Sequence, residues 1–146
     1  MKVSDILREK NIKVITTNPD ETIHRAMEVL ITNKISCLPV LDTDNNLIGI
    51  ISDKDIFKAV FEDQQGFAST KVDALMSRDL IVGLPDDDIS YISGVMTQNR
   101  IRHIPVVEKD KLIGLISIGD IVKTQMHSIK IENRYLKQYV EGNYPG

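Results

Sequence analysis

The chain has 146 residues, 42% of them hydrophobic and 27% charged, with 18 Lys and Arg against 21 Asp and Glu for a formal net charge of −3. This is the balance of an ordinary soluble globular protein, long enough to bury a core and without the basic excess that draws a chain onto a polyphosphate backbone, which disfavours nucleic acid as a partner. A single cysteine, Cys37, excludes an internal disulfide framework and a cysteine-based zinc site, and no uncharged run approaches a membrane span, so a cytoplasmic protein with no membrane partner is expected.

In chain order, a short helix is predicted near Val3–Arg8, then a longer approach through Glu9–Thr17 in which Val14-Ile15-Thr16 reads as a short strand. Pro19-Asp20-Glu21 puts proline and acids where a helix begins, because free N–H groups and the positive dipole end favour carboxylates. Ile23, Ala26, Met27, Leu30 and Ile31 then follow the i, i+3, i+4, i+7, i+8 spacing of one buried helix face. Two apolar runs flank the polar segment Asp42 to Asn46 and predict a β-hairpin, after which Ile56-Phe57 with Ala59-Val60 opens a second helix. Asp63–Thr70, polar around Gly66 and Phe67, is the linker.

The same order then returns. A short helix is predicted near Val72–Met76, a strand at Leu80-Ile81-Val82, a helix start at Pro85-Asp86-Asp87 with Ile89, Ile92, Val95 and Met96 on its apolar face, and a hairpin turning at Glu108 to Lys111. Asn33-Lys34-Ile35-Ser36-Cys37-Leu38-Pro39-Val40 aligns with Asn99-Arg100-Ile101-Arg102-His103-Ile104-Pro105-Val106, and Leu47-Ile48-Gly49-Ile50-Ile51-Ser52 with Leu112-Ile113-Gly114-Leu115-Ile116-Ser117. Such self-similarity makes the chain a tandem repeat. Lys2-Val3 and Pro19 recur as Lys71-Val72 and Pro85, with three residues fewer between them in the second copy. The expected fold is mixed α/β (α+β): two pseudo-twofold-related repeats, each strand, helix, strand, strand, helix with a short leading helix, plus a C-terminal helix. The expected domains are residues 1–62, a linker 63–70, residues 71–123 and a tail 124–146.

The motif closest to chemistry is Gly49-Ile50-Ile51-Ser52-Asp53-Lys54-Asp55, echoed by Gly114-Leu115-Ile116-Ser117-Ile118-Gly119-Asp120. It reads Gly-h-h-Ser-x-x-Asp at a strand-to-helix junction, where unpaired N–H groups suit a phosphate and a first-turn carboxylate can accept from both hydroxyls of a ribose. Ser-x-x-acid is also a capping box, which merely satisfies the helix's own donors. Two copies at equivalent points of a repeat favour ligand binding over capping alone.

With these motifs the sequence resembles a stand-alone pair of CBS (cystathionine β-synthase-type) domains, the Bateman module, from about Lys2 to Lys123. The resemblance implies clefts between the repeats that take adenosine-containing ligands such as AMP, ADP, ATP, S-adenosylmethionine or NAD(H), as regulatory ligands and not as catalytic cofactors. Carried onto this sequence, one site (A) combines Ile50, Ser52, Lys54 and Asp55 with Leu80, Ile81, Ile101, Arg102 and His103. The other (B) combines Leu115, Ser117 and Asp120 with Val14, Ile15, Ile35, Ser36 and Cys37. Lys54, Arg102 and His103 in site A stand opposite Gly119, Ser36 and Cys37 in site B, so site A is expected to prefer more phosphate.

The remaining candidates reduce to structure. Cys37 lies in an apolar strand, His24, His103 and His127 have no metal-ligand spacing, and Asp86-Asp87-Asp88 fits a helix start. No P-loop or triad is present, and a hydrolase or phosphotransferase built on Asp55 or Asp120 would lack a paired base or metal. The expectation is a non-enzymatic nucleotide sensor signalling to a separate protein target, with a ligand-free association module as the alternative. From Asp120 a helix is predicted to about Glu141, with Val122, Met126, Ile129, Asn133, Leu136 and Val140 at coiled-coil spacing, which together with the resemblance implies a homodimer.

Overall fold

The structure, a computed structural model, describes residues 1–128. Its elements are α1 (Val3–Lys10), α2 (Ile23–Asn33), β1 (Cys37–Leu41), β2 (Leu47–Ser52), α3 (Asp53–Glu62), α4 (Val72–Leu75), α5 (Ile89–Asn99), β3 (His103–Glu108), β4 (Lys111–Ser117) and α6 (Ile118–Ser128), with a single 3-10 turn at Phe67–Ser69 in the linker. The mixed fold and the repeated element order are those expected. The proposed seam of the tail, apart from Val122 and Met126 on α6, lies outside the described residues.

Both hairpins are antiparallel and in the same register. Cys37 faces Ser52 and Val40 faces Gly49, as His103 faces Ser117 and Val106 faces Gly114. The second hairpin turns on Lys109 and Asp110, both with positive φ, a conformation matched to the right-handed twist of the flanking strands.

The leading strands differ from expectation. Neither Val14-Ile15-Thr16 nor Leu80-Ile81-Val82 forms a strand, and each is replaced by one parallel bridge a residue later, Thr17 with Val40 and Gly83 with Val106. The cause is the proline inside β1 and β3. Thr17 N donates to Pro39 O and Leu41 N to Thr17 O, each at 3.0 Å. The next rung would need an N–H from Pro39 to reach the Ile15 carbonyl, and proline has none. Pro105 stops the second ladder at Gly83 in the same way. The backbones of residues 14–16 and 80–82 are thus left outside the sheets.

The leading helices are exchanged between the cores. Val3 and Ile6 of α1 pack with Ile89, Ile92, Met96, Ile104, Val106, Ile116 and Ile121, the core of the second repeat. Val72 and Met76 pack with Ile23, Ala26, Leu30, Leu38, Val40, Ile51 and Ile56, the core of the first. Backbone bonds repeat the exchange: Val3 N donates to Asp87 O and Ile89 N to Met1 O, as Val72 N donates to Glu21 O and Ile23 N to Thr70 O.

This exchange explains the glycine of each Gly-h-h-Ser-x-x-Asp motif. A Cβ on Gly114 would stand 2.5 Å from Leu7 Cδ2 on α1, and one on Gly49 would stand 2.6 Å from Met76 Sδ and 3.1 Å from the Ser77 carbonyl. Each glycine lets the other repeat's leading segment lie against the strand. Gly49→Val is therefore expected to cost about 1–3 kcal/mol through overpacking. Urea denaturation reads this directly, and a variant as stable as the parent would show that the segment is not held against β2.

Candidate functional site

Each strand-to-helix junction is a capping box. At α3, Asp55 N donates to Ser52 Oγ at 3.3 Å, while Ser52 N and Ser52 Oγ donate to Asp55 Oδ2 at 2.9 and 3.0 Å. At α6, Asp120 N donates to Ser117 Oγ at 3.1 Å and Ser117 N to Asp120 Oδ2 at 2.8 Å. Capping does not use up the carboxylates, because the bonds they accept from the serines all fall on Oδ2 and leave Oδ1 as an acceptor in both.

The repeats differ in how the chain leaves each leading helix. After α4 the chain closes directly on β2: Ile50 N donates to Ser77 O at 3.0 Å and Ser77 N to Ile50 O at 2.8 Å. Helix α1 is twice as long, 8 residues against 4, and places a side chain where the other repeat has backbone. Lys10 Nζ donates to Leu115 O and to Asp120 Oδ2, each at 2.9 Å. Among the described residues no cation pairs with Asp55.

Beside Lys10 opens a cleft of about 890 Å³. Val14, Ile15, Ile35, Ser36, Cys37, Leu115 and Ser117 of site B all line it, joined by Leu7, Lys10, Asn11, Ile12 and Lys13 from α1 and its exit, and by Lys34, Ile113 and Gly114. Asp120 stands behind Lys10 and does not itself line the wall. His103, expected in site A, lines this cleft instead, with Nε2 3.4 Å from Ser36 Oγ. Of the other residues of site A, Ile50, Ser52, Lys54 and Asp55 belong to the opposite junction. Ile81 and Ile101 pack on the second core, Lys54 is exposed, and Arg102 Nη2 sits 3.4 Å from Asp53 Oδ1, an exposed ion pair.

The charges therefore fall otherwise than the sequence suggests. Lys10, Lys13, Lys34 and His103 line the cleft of site B and no carboxylate does, whereas Arg102 of site A faces an acid. Sequence reasoning missed the three lysines. Lys10 had a signal, the three extra residues of the first copy's approach.

Burial shapes the titrating groups. Desolvation, then the Asp53 charge, pushes the Cys37 thiol up to about 12. Burial first, then Arg102 and Lys10, lowers His103 below its ordinary value. Burial raises Asp120, but Lys10 and the Ser117 amide outweigh it and hold the carboxyl below its ordinary range. Among the described residues no group of three or more His, Cys, Asp or Glu is placed to hold a metal, and no helix is long and apolar enough to cross a membrane.

The family model of the CBS domain matches residues 3–62 and again residues 72–127. The chain belongs to the CBS-domain family. Among its relatives, the mitochondrial CBS domain-containing protein CBSX3 of Arabidopsis thaliana is 29% identical over 97% of this chain and 73% of its own length. An inosine-5'-monophosphate dehydrogenase of Methanocaldococcus jannaschii is 36% identical over 78% of this chain, which spans only 22% of that enzyme. CBS domains thus occur both in CBS-domain proteins and as a part of enzymes. Two solved CBS structures carry ligands: CBSX2 with AMP (TM-score 0.74, 28% identity, 89% of this chain and 98% of that one) and the CBS pair of MJ0100 with 5'-methylthioadenosine and S-adenosyl-L-methionine (TM-score 0.75, 26% identity, 90% and 98%).

Proposed function

We propose that this chain is a regulatory module that binds an adenosine nucleotide (AMP, ADP, ATP or NAD(H)) in the cleft beside Asp120 and reports its occupancy to a separate protein. The observation that carries the reading is the cleft itself: apolar walls from Ile12, Val14, Ile15 and Ile35 beside three lysines, with a capped carboxylate behind. The walls suit a flat apolar base, the lysines an anionic group, and Asp120 Oδ1 a sugar hydroxyl. The AMP complex of CBSX2 and the thioadenosine complex of MJ0100 support this ligand class. Both junction carboxylates are held as helix caps.

Calorimetry on ligand-stripped protein with AMP, ADP, ATP, NAD, NADH and S-adenosylmethionine tests the reading. At least one nucleotide is expected to bind in the micromolar range, and Asp120→Ala to weaken it by about 1.5–3 kcal/mol through loss of charge-assisted hydrogen bonds. If none binds near 1 mM, about −4.1 kcal/mol, the chain is better read as an association module.

A further inference from the structure

The Lys10–Asp120 pair is unusual for a surface ion pair, with side chains only 28% and 14% exposed. A purely structural role, tying α1 to α6, explains it poorly. Helix α1 is already anchored by Val3 and Ile6, which are 0% and 3% exposed. Nor does the cap need a cation, since Asp55 makes the same capping box without one. What sets Lys10 apart is its place in the cleft wall, paired with the carboxylate at this cleft that could take a sugar hydroxyl.

We propose that Lys10 is a selectivity latch: it neutralises Asp120 in the empty cleft and releases it only to a ligand that offers the ammonium another anion, so that this cleft takes phosphorylated adenosines and rejects neutral ones. The inference rests on the adenosine-binding reading and adds to it a rule of choice. Two of the ammonium's three donors are spent, on Leu115 O and Asp120 Oδ2. Asp120 is absent from the cleft wall and Lys10 present in it, so a sugar hydroxyl reaches Oδ1 only by moving Lys10 off Oδ2, which leaves a half-buried cation with one carbonyl partner in a cleft also lined by Lys13 and Lys34. A neutral riboside brings nothing to offset that. A phosphate does, and it also meets Lys13 and Lys34, which line the same cleft.

The test is titration calorimetry with adenosine, AMP and ADP, carried out in an Asp55→Ala background so that the opposite junction lacks its carboxylate. With Lys10 present, AMP and ADP are expected to bind more tightly than adenosine. Lys10→Met removes both the latch and the anion partner, so adenosine should gain affinity and ADP lose it, and the ratio between them should fall about tenfold or more. Lys10→Gln keeps a donor for Leu115 and Asp120 without the charge, and it should show the same fall if the methionine variant folds poorly. Equal loss for adenosine and ADP, or an unchanged ratio in the folded variants, would make Lys10 a structural tie and overturn the latch alone. If the chain with Lys10 intact binds none of the three ligands, the adenosine reading falls and takes the latch with it.

Discussion

A chain shortened by residues 1–10 is expected to lose the second repeat while the first keeps its core. Val3 and Ile6 lie in the second core against Ile89, Ile104, Val106 and Ile116, although in sequence they precede the first repeat. Fully burying an aliphatic side chain of this size is worth about 1.5–3 kcal/mol, so the two together supply about 3–6 kcal/mol. Set against a typical domain stability of about 5–15 kcal/mol, that is a large share. The truncation also removes the bonds from Val3 N to Asp87 O and from Ser4 N to Pro85 O, which hold the start of α5. Amide exchange reads the outcome by element: amides of β3 and β4 should lose protection far more than those of β1 and β2. Equal loss in both hairpins, or loss confined to the first, would place α1 in the wrong core.

The repeat was the most legible feature, because positions aligned between the copies landed in equivalent pairings, Cys37 with Ser52 and His103 with Ser117. Periodicity names the apolar face of a helix but not the core that receives it. Val3 and Ile6 therefore read as a local leading helix and became part of the distant repeat. The apolar runs Val14-Ile15-Thr16 and Leu80-Ile81-Val82 had strand composition, yet the donor that would extend each ladder belongs to a proline some two dozen residues away. Charge was the least legible of all. Arg102 and Lys54 looked like the phosphate partners by position in the motifs, whereas the cleft draws Lys10 and Lys13 from the end of α1 and its exit, outside those motifs, and Lys34 from the C-cap of α2, inside the aligned segment but given no role there. The signal lay in a difference between the copies, three extra residues before Thr17, and its consequence needed the exchange of α1 to be known.

Cys37 is expected to resist alkylation in the native chain by about three orders of magnitude relative to the unfolded one. It lies on β1, 4% exposed, and its thiol is pushed from 9.0 up to about 12, first by burial and then by the Asp53 charge, with Arg102 and Lys10 pulling the other way. Only the thiolate attacks, and raising the thiol by about three pH units cuts the thiolate present near neutral pH by about a thousandfold. Iodoacetamide at pH 7.5, with and without denaturant, measures the ratio. Native labelling within about tenfold of the unfolded rate would mean an exposed thiol and a different cleft wall. The substitutions at Lys10 sharpen the test. Lys10 stabilises the Cys37 thiolate, so Lys10→Met should leave the thiol still less reactive unless it also opens the fold. Residual labelling that proceeds through opening tracks the stability of the folded state. A ligand bound at about 100 times its dissociation constant adds about 2.7 kcal/mol, and should slow that residual labelling by about a hundredfold. Slower labelling with AMP present, and none of that protection in the Asp120→Ala chain, would connect the cleft, the carboxylate and the ligand in one measurement.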